Sequence, residues 1–378
     1  MGNPSLIQWS LHPLRFPRLR GTETPKGRRS NLTYLTPLLG RGRGRFIVMV
    51  ALMLFSMGAT AQTLRRQTNI SHMGIPPGNY SGITWLGDDR FAVVSDKDST
   101  DGFYLFHVDI NLDKGKIRHV SYSRVSSGSR SVLKLDIEGI CYVPGNNGGT
   151  LFMSNEADQR IREFSLDGQP TGRELQVPDL FSTESIARNK GFEALTYNHT
   201  TRHFWTANET ALKRDIDTDP LLVHLQSFGD DLQPDGHYLY RLDPPRKARK
   251  PSTKFYANGL PAIIAMDDGS LIIMERYLYS PKNVLGSIVE NKLYRVTHEA
   301  LLAAEKDANQ PVAKQLITSF KTHIRIGQIN YANYEGMCLG PKLRDGRQTI
   351  LLINDSQNRM GNRLFRLKDY LKLIILDK

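Results

Sequence analysis

Five segments of this 378-residue chain share one shape, and a chain built from copies of one hairpin has few folds open to it. The first runs Ser81-Gly-Ile-Thr-Trp85, a turn at Gly87–Asp89, then Phe91–Asp96. The second runs Glu138-Gly-Ile-Cys-Tyr142, a turn at Pro144–Gly149, then Leu151–Glu156. The third runs Glu193-Ala-Leu-Thr-Tyr197, a turn at Asn198–Arg202, then Phe204–Glu209. The fourth runs Leu260–Ile264, a turn at Asp267–Gly269, then Leu271–Glu275. The fifth runs Glu335-Gly-Met-Cys-Leu339, a turn reaching Gly346, then Ile350–Asp355. Two short apolar runs around Gly, Asp and Asn read as a β-hairpin.

A third apolar run follows each pair: Phe103–His107, Ile161–Phe164, Tyr238–Arg241, Leu293–Arg295 and Leu364–Arg366. A weaker fourth follows most of them, as at Lys116–Tyr122 and Leu371–Leu376. The repeats start 57, 55, 67 and 75 residues apart, so the longer intervals hold insertions. These are Lys213–Gly236 and a helix near Glu299–Asp307 with Thr297 as N-cap. The expected fold is all-β: a β-propeller of four-stranded blades, five visible and a sixth possible in Lys213–Gly236 or Leu64–Gly74. The preferred reading of Leu64–Gly74 is an outer strand that closes the ring. A β-sandwich is the alternative, and sandwiches rarely repeat one motif five times.

In a propeller the first strand of each blade starts at one mouth of the channel, and the second returns to it. Strand one starts at Ser81, Glu138, Glu193, Leu260 and Glu335. Strand two ends at Asp96, Glu156, Glu209, Glu275 and Asp355. Eight carboxylates then ring one mouth, with Asp98, Asp136 and Asp158 close in sequence. Such a ring must protonate, pair with bases or bind cations. Oxygen donors without Cys or clustered His favour Ca²⁺, or another hard divalent ion, over zinc. Lys97, Arg160, Lys190, Arg276 and Arg359 fall at the same level and suit a small phosphorylated substrate. Acidic residues at propeller turns also hold backbone N–H groups, so fold punctuation is the competing reading.

The net charge of +12 is concentrated at the N-terminus. Residues 1–45 carry nine Lys/Arg against one Glu, which leaves an ordinary balance for the remainder and argues against a nucleic-acid partner. Residues 46–61, FIVMVALMLFSMGATA, follow a basic flank and end small-x-small, the pattern of a secretory signal cleaved before Gln62; an uncleaved anchor is the alternative. Residues 1–45 read as a disordered leader or a misplaced start. The expected mature chain is one propeller domain over 62–378, exported to the periplasm or medium of a bacterium, monomeric and free of the membrane.

No Gly-x-Ser-x-Gly elbow and no P-loop occurs. His199 and His203 flank a hairpin turn away from the mouth and read as surface residues. The two cysteines, Cys141 and Cys338, occupy one repeat position in different blades and read as buried thiols.

Asp136-Ile-Glu-Gly-Ile-Cys-Tyr142 and Tyr334-Glu-Gly-Met337 resemble the Glu-Gly strands of β-propeller alkaline phytases, and Gly191-Phe-Glu-Ala-Leu-Thr-Tyr197 with the Asn-Glu and Asn-Asp strand ends belongs to the same pattern. Over about 78–376 the chain resembles the phytase-like family, described as having esterase-like activity of phytase. That resemblance implies a calcium-dependent hydrolase of phosphate monoesters, six-bladed in the alkaline phytases. It implies Glu138, Glu193 and Glu335 as catalytic and calcium-site carboxylates, with Glu156, Glu209 and Asp355 as further ligands. The mouth reading adds Asp96 and Glu275 to the metal set. Lys97, Arg160, Arg276 and Arg359 are the expected phosphate binders. A calcium-dependent carboxylesterase or lactonase and a non-catalytic binding propeller are the alternative functions.

Overall fold

The computed structural model describes residues 63–377 apart from 97–101, 127–135, 147, 188, 248 and 362–365. Five sheets radiate from one axis. The first blade is Tyr80–Gly87, Arg90–Ser95, Phe103–Asn111 and Lys116–Val125. The second is Ile137–Val143, Thr150–Asn155, Arg160–Ser165 and Pro170–Glu174. The third is Phe192–Asn198, His203–Asn208, Leu222–Phe228 and Pro234–Arg241. The fourth is Thr253–Ala265, Leu271–Pro281, Ser287–Val296 and Gln315–Arg325. The fifth is Asn333–Gly340, Thr349–Asp355 and Tyr370–Ile375, completed from the other end of the chain by Thr63–Leu64 and Thr68–Asn69.

That completion is the ring closure expected of Leu64–Gly74, and the expected five-bladed propeller is the fold found. Two strands differ from the sequence reading. The third strand of the third blade is Leu222–Phe228, inside what read as an insertion, and Tyr238–Arg241 belongs to the fourth. The third strand of the fifth blade is Tyr370–Ile375 rather than Leu364–Arg366, of which 364 and 365 lie outside the described residues. The helix expected after Thr297 is His298–Glu305, and the Thr297 side chain accepts the Ala300 N–H.

Each inner strand packs against that of the next blade, and the fifth packs against the first. Apolar side chains alternate along the strands, so each sheet presents one apolar face to either neighbour. The result is five hydrophobic clusters, one per blade interface. Cys141 lies in the cluster between blades two and three, and Cys338 in that between blades five and one. Both are free thiols. The inner strands close so tightly that the axial gap measures about 10 Å³, room for barely one water molecule. The channel interior therefore offers no ligand-sized space.

Candidate functional site at the propeller mouth

The pairing register fixes which residues are equivalent. Trp85, Tyr142, Tyr197, Ala265 and Leu339 each oppose the first apolar residue of strand two. Counting back four places gives Ser81, Glu138, Glu193, Pro261 and Glu335. Counting forward five along strand two gives Asp96, Glu156, Glu209, Arg276 and Asp355. The sequence alignment of the fourth blade was therefore one residue out. Pro261, not Leu260, stands at the glutamate position, and Arg276, not Glu275, stands where the other blades carry a carboxylate. The same one-residue register shift falls at this place in every blade, so the offset lies in the count along strand two, which runs six residues from Leu271 to Arg276 as it does in the other blades.

Glu275 leaves the mouth accordingly. Its side chain turns between blades three and four. There it accepts from the Tyr240 hydroxyl at 2.8 Å and the Asp243 N–H at 2.9 Å, and pairs with Lys314. Its place in the expected metal set is corrected on that ground.

Arg276 enters the ring instead. It is 3% exposed. Its guanidinium pairs with Glu209 and Glu335, donates to Asn333 Oδ1 at 3.1 Å, and lies 3.9 Å from Glu193. Lys190 also pairs with Glu209. Burial pushes the Glu209 carboxyl up, but Lys190 and Arg276 more than offset it and hold it below the usual range. Burial and Glu209 push Glu193 well above that range, despite Arg276. Burial likewise raises Glu335. Burial and the Glu335 charge raise Asp355, which accepts the Gln357 N–H at 2.5 Å.

The opposite side of the mouth is built differently. Carboxylate oxygens of Asp96, Asp136 and Glu138 lie within 4.8 Å of one another. Glu138 is 9% exposed, and no hydrogen bond or ion pair reaches its carboxylate among the described residues. Burial, then the charges of Asp96 and Glu193, push it well above the usual carboxylate range. A partnerless buried carboxylate beside two others is a destabilising arrangement that a bound cation relieves. Three hard oxygens at this spacing fit Ca²⁺ or Mg²⁺.

Glu156 faces a cleft of about 240 Å³ between blades two and three, which Asp136, Gln159 and Lys213 also line. It accepts the Gly191 N–H at 2.9 Å, and burial raises its pKa. A Cβ at residue 191 would stand 1.9 Å from the amide nitrogen of Gln159, so that side chain would have to move to admit one.

The expected phosphate binders are scattered. Lys97 lies outside the described residues. Arg160 is half exposed and pairs with Glu174 on the outer strand of its blade. Arg359 donates to Asp369 at 2.5 Å and to the Ile75 carbonyl at 2.5 Å, fastening the ring closure. Arg276 is committed to carboxylates. Each described one pairs with protein groups in this structure. Asp136 and Lys213 were not among the expected site residues. Asp136 lies two places before Glu138, a spacing that turns both toward one side of the strand. Lys213 carried no usable signal, since it sits in a loop.

Among the described residues no helix is long and apolar enough to cross a membrane. The family described as "Phytase-like: Esterase-like activity of phytase" matches residues 75–357. No curated protein matches the chain. Solved structures that align with it include the following three. A member of the duf4221 family from Bacteroides vulgatus is 8% identical, covers 83% of this chain and 97% of its own, and has a TM-score of 0.37. The GH93 α-L-arabinofuranosidase of Fusarium graminearum, in complex with arabinobiose, is 8% identical, with 82% and 97% covered and a TM-score of 0.38. The hemagglutinin-neuraminidase ectodomain of parainfluenza virus 5 is 8% identical, with 85% and 86% covered and a TM-score of 0.37.

Proposed function

The chain belongs to the phytase-like family, and from that premise we propose that it is a Ca²⁺-dependent phosphoesterase acting on phosphate monoesters at the propeller mouth. The observation that carries this reading is the buried Glu138 carboxylate, without a partner, within reach of Asp96 and Asp136. These three residues would hold the ion. Bound there, a divalent cation polarises a phosphoryl oxygen and lowers the pKa of an attacking water. Glu193, Glu209 and Glu335 surround Arg276, and in this reading they neutralise it rather than the ion. Lys213, on the rim of the cleft, donates to the Glu184 carbonyl at 2.8 Å and has further N–H donors on its ammonium; it is the base we assign to the substrate anion. Glu156, raised by burial and facing the same cleft, is the group we assign to protonate the leaving oxygen. With the signal at 46–61 the enzyme would work outside the cytoplasm, as a monomer, on small phosphorylated substrates.

The test is phosphate release by the purified protein from phytate and from an aryl phosphate, with Ca²⁺ and with chelator. Chelator-sensitive release is expected. Glu138→Gln should cut it by about two orders of magnitude, the scale of losing one electrostatic stabiliser of a transition state. Turnover unchanged in that variant would remove the acidic triad from the mechanism. Hydrolysis of an aryl carboxyl ester without phosphate release would replace phosphate chemistry by carboxylesterase chemistry.

A further inference from the structure

We propose that Arg276 is a built-in cation of the mouth, fixed where the other blades carry a carboxylate, so that the mouth takes a single divalent ion on the Asp96–Asp136–Glu138 side. The inference rests on the divalent site proposed above and concerns how many ions that site admits and why.

The repeat makes the first part of the case. Strand two delivers Asp96, Glu156, Glu209 and Asp355 to the mouth in four blades and Arg276 in the fourth blade of the ring. The same blade carries Pro261 where its neighbours carry Glu193 and Glu335, so it contributes two fewer negative groups and one positive one. The contacts make the second part. One guanidinium bridges Glu209 of blade three and Glu335 of blade five, with Glu193 at 3.9 Å and Asn333 at 3.1 Å. Its two terminal nitrogens each meet a different carboxylate, Nη1 that of Glu335 and Nη2 that of Glu209. Lys190 adds a second fixed charge on Glu209. Glu138 receives neither base. The mouth is thus divided: one half carries its own cations, and the other has a buried carboxylate that calls for one from solution.

A guanidinium does not deprotonate or dissociate in the working pH range. A chelator therefore strips the triad and leaves the Arg276 half intact. Deleting the guanidinium should turn Glu193, Glu209 and Glu335 into a second demand for a cation.

The experiment is calorimetric titration of the full chain with Ca²⁺ alone at neutral pH, paired with melting curves. Wild type should bind one equivalent at the mouth. Glu138→Gln should lose that equivalent, and Glu335→Gln should keep it. Arg276→Met should bind a second equivalent and show a larger Ca²⁺-induced rise in Tm than wild type. Two equivalents in wild type, or loss of binding in Glu335→Gln, would overturn the division of the mouth and leave the phosphoesterase reading standing. No Ca²⁺ binding by wild type would overturn the divalent site itself. If Arg276→Met fails to fold even with Ca²⁺ present, the comparison of Glu138→Gln with Glu335→Gln still decides.

Discussion

Gly82, Gly139 and Gly336 show why a glycine follows the mouth residue in three of the blades. A Cβ at Gly82 would stand 2.7 Å from the Glu138 carbonyl, one at Gly139 2.9 Å from the Glu193 carbonyl, and one at Gly336 2.9 Å from the Ser81 carbonyl. Each glycine lies against the backbone of the mouth residue in the next blade. The glutamate side chain reaches the mouth while its carbonyl sets the spacing between blades. The third and fourth blades carry Ala194 and Ala262 at this position, so a methyl fits there. Gly139→Ala should therefore cost about 2 kcal/mol, the scale of overpacking a well-filled interior. Ala194→Gly should cost less, about 1 kcal/mol, through chain entropy and the loss of one packed methyl. Urea denaturation of both variants checks the order; equal losses would mean that inter-blade contact is not what the glycine serves.

The third blade differs at the level of its elements. The loop from Glu209 to its third strand carries Asp215, whose Oδ2 lies 2.9 Å from His224 Nε2. His224 Nδ1 lies 2.8 Å from His237 Nε2 on the fourth strand, and the two rings stack at 5.0 Å. Burial holds both imidazoles below their ordinary pKa; Asp215 pulls His224 back up only in part, while His224 and Arg214 depress His237 further. As pH falls through about 6.5, the unfolded chain takes up these protons first, so folding stability declines below that value. Tm measured from pH 7.5 to 5 should fall, and His224→Gln should flatten part of the fall. Parallel curves for the two proteins would discharge the histidines. This strand also explains what the sequence concealed. In Leu222–Phe228 apolar and polar residues alternate only over Val223–Gln226, a run too short to mark a strand inside a polar stretch. The hairpins were legible because Gly, Asp and Asn turns punctuate them at a fixed period. Most mouth carboxylates followed from the same period. Arg276 was legible too: it stands five places after Leu271, as Asp96 does after Phe91, and Glu275, one place earlier, faces the other side of the strand.

At the scale of the molecule, the ring depends on joining its two ends. Lys372 Nζ donates to the Arg65 carbonyl at 2.7 Å across 307 residues of sequence. Closing so long a loop is entropically expensive, so the contacts that hold it must be strong. Asp369 is the node. Fully buried, it accepts from Arg359 and from Ser356 at 2.5 Å each, and its backbone bonds to Ile70 and to the Ser71 hydroxyl. Arg359 continues to the Ile75 carbonyl. Removing one partner of such a buried pair leaves the other charge uncompensated, at a cost of about 3–5 kcal/mol. The loss in Asp369→Ala should fall on the closure first, because the five interface cores remain intact. The short strands at Thr63–Leu64 and Thr68–Asn69 would then leave Tyr370–Ile375, an apolar strand with one charge, as an open edge. Open apolar edges pair with other chains. Asp369→Ala should thus be cut by trypsin at Arg65 or Arg66 well below its Tm and scatter light on warming at temperatures where wild type stays clear. Loss of stability with cleavage at these arginines no faster than wild type would place the weak point elsewhere in the ring and show that the ends are held by strand pairing alone.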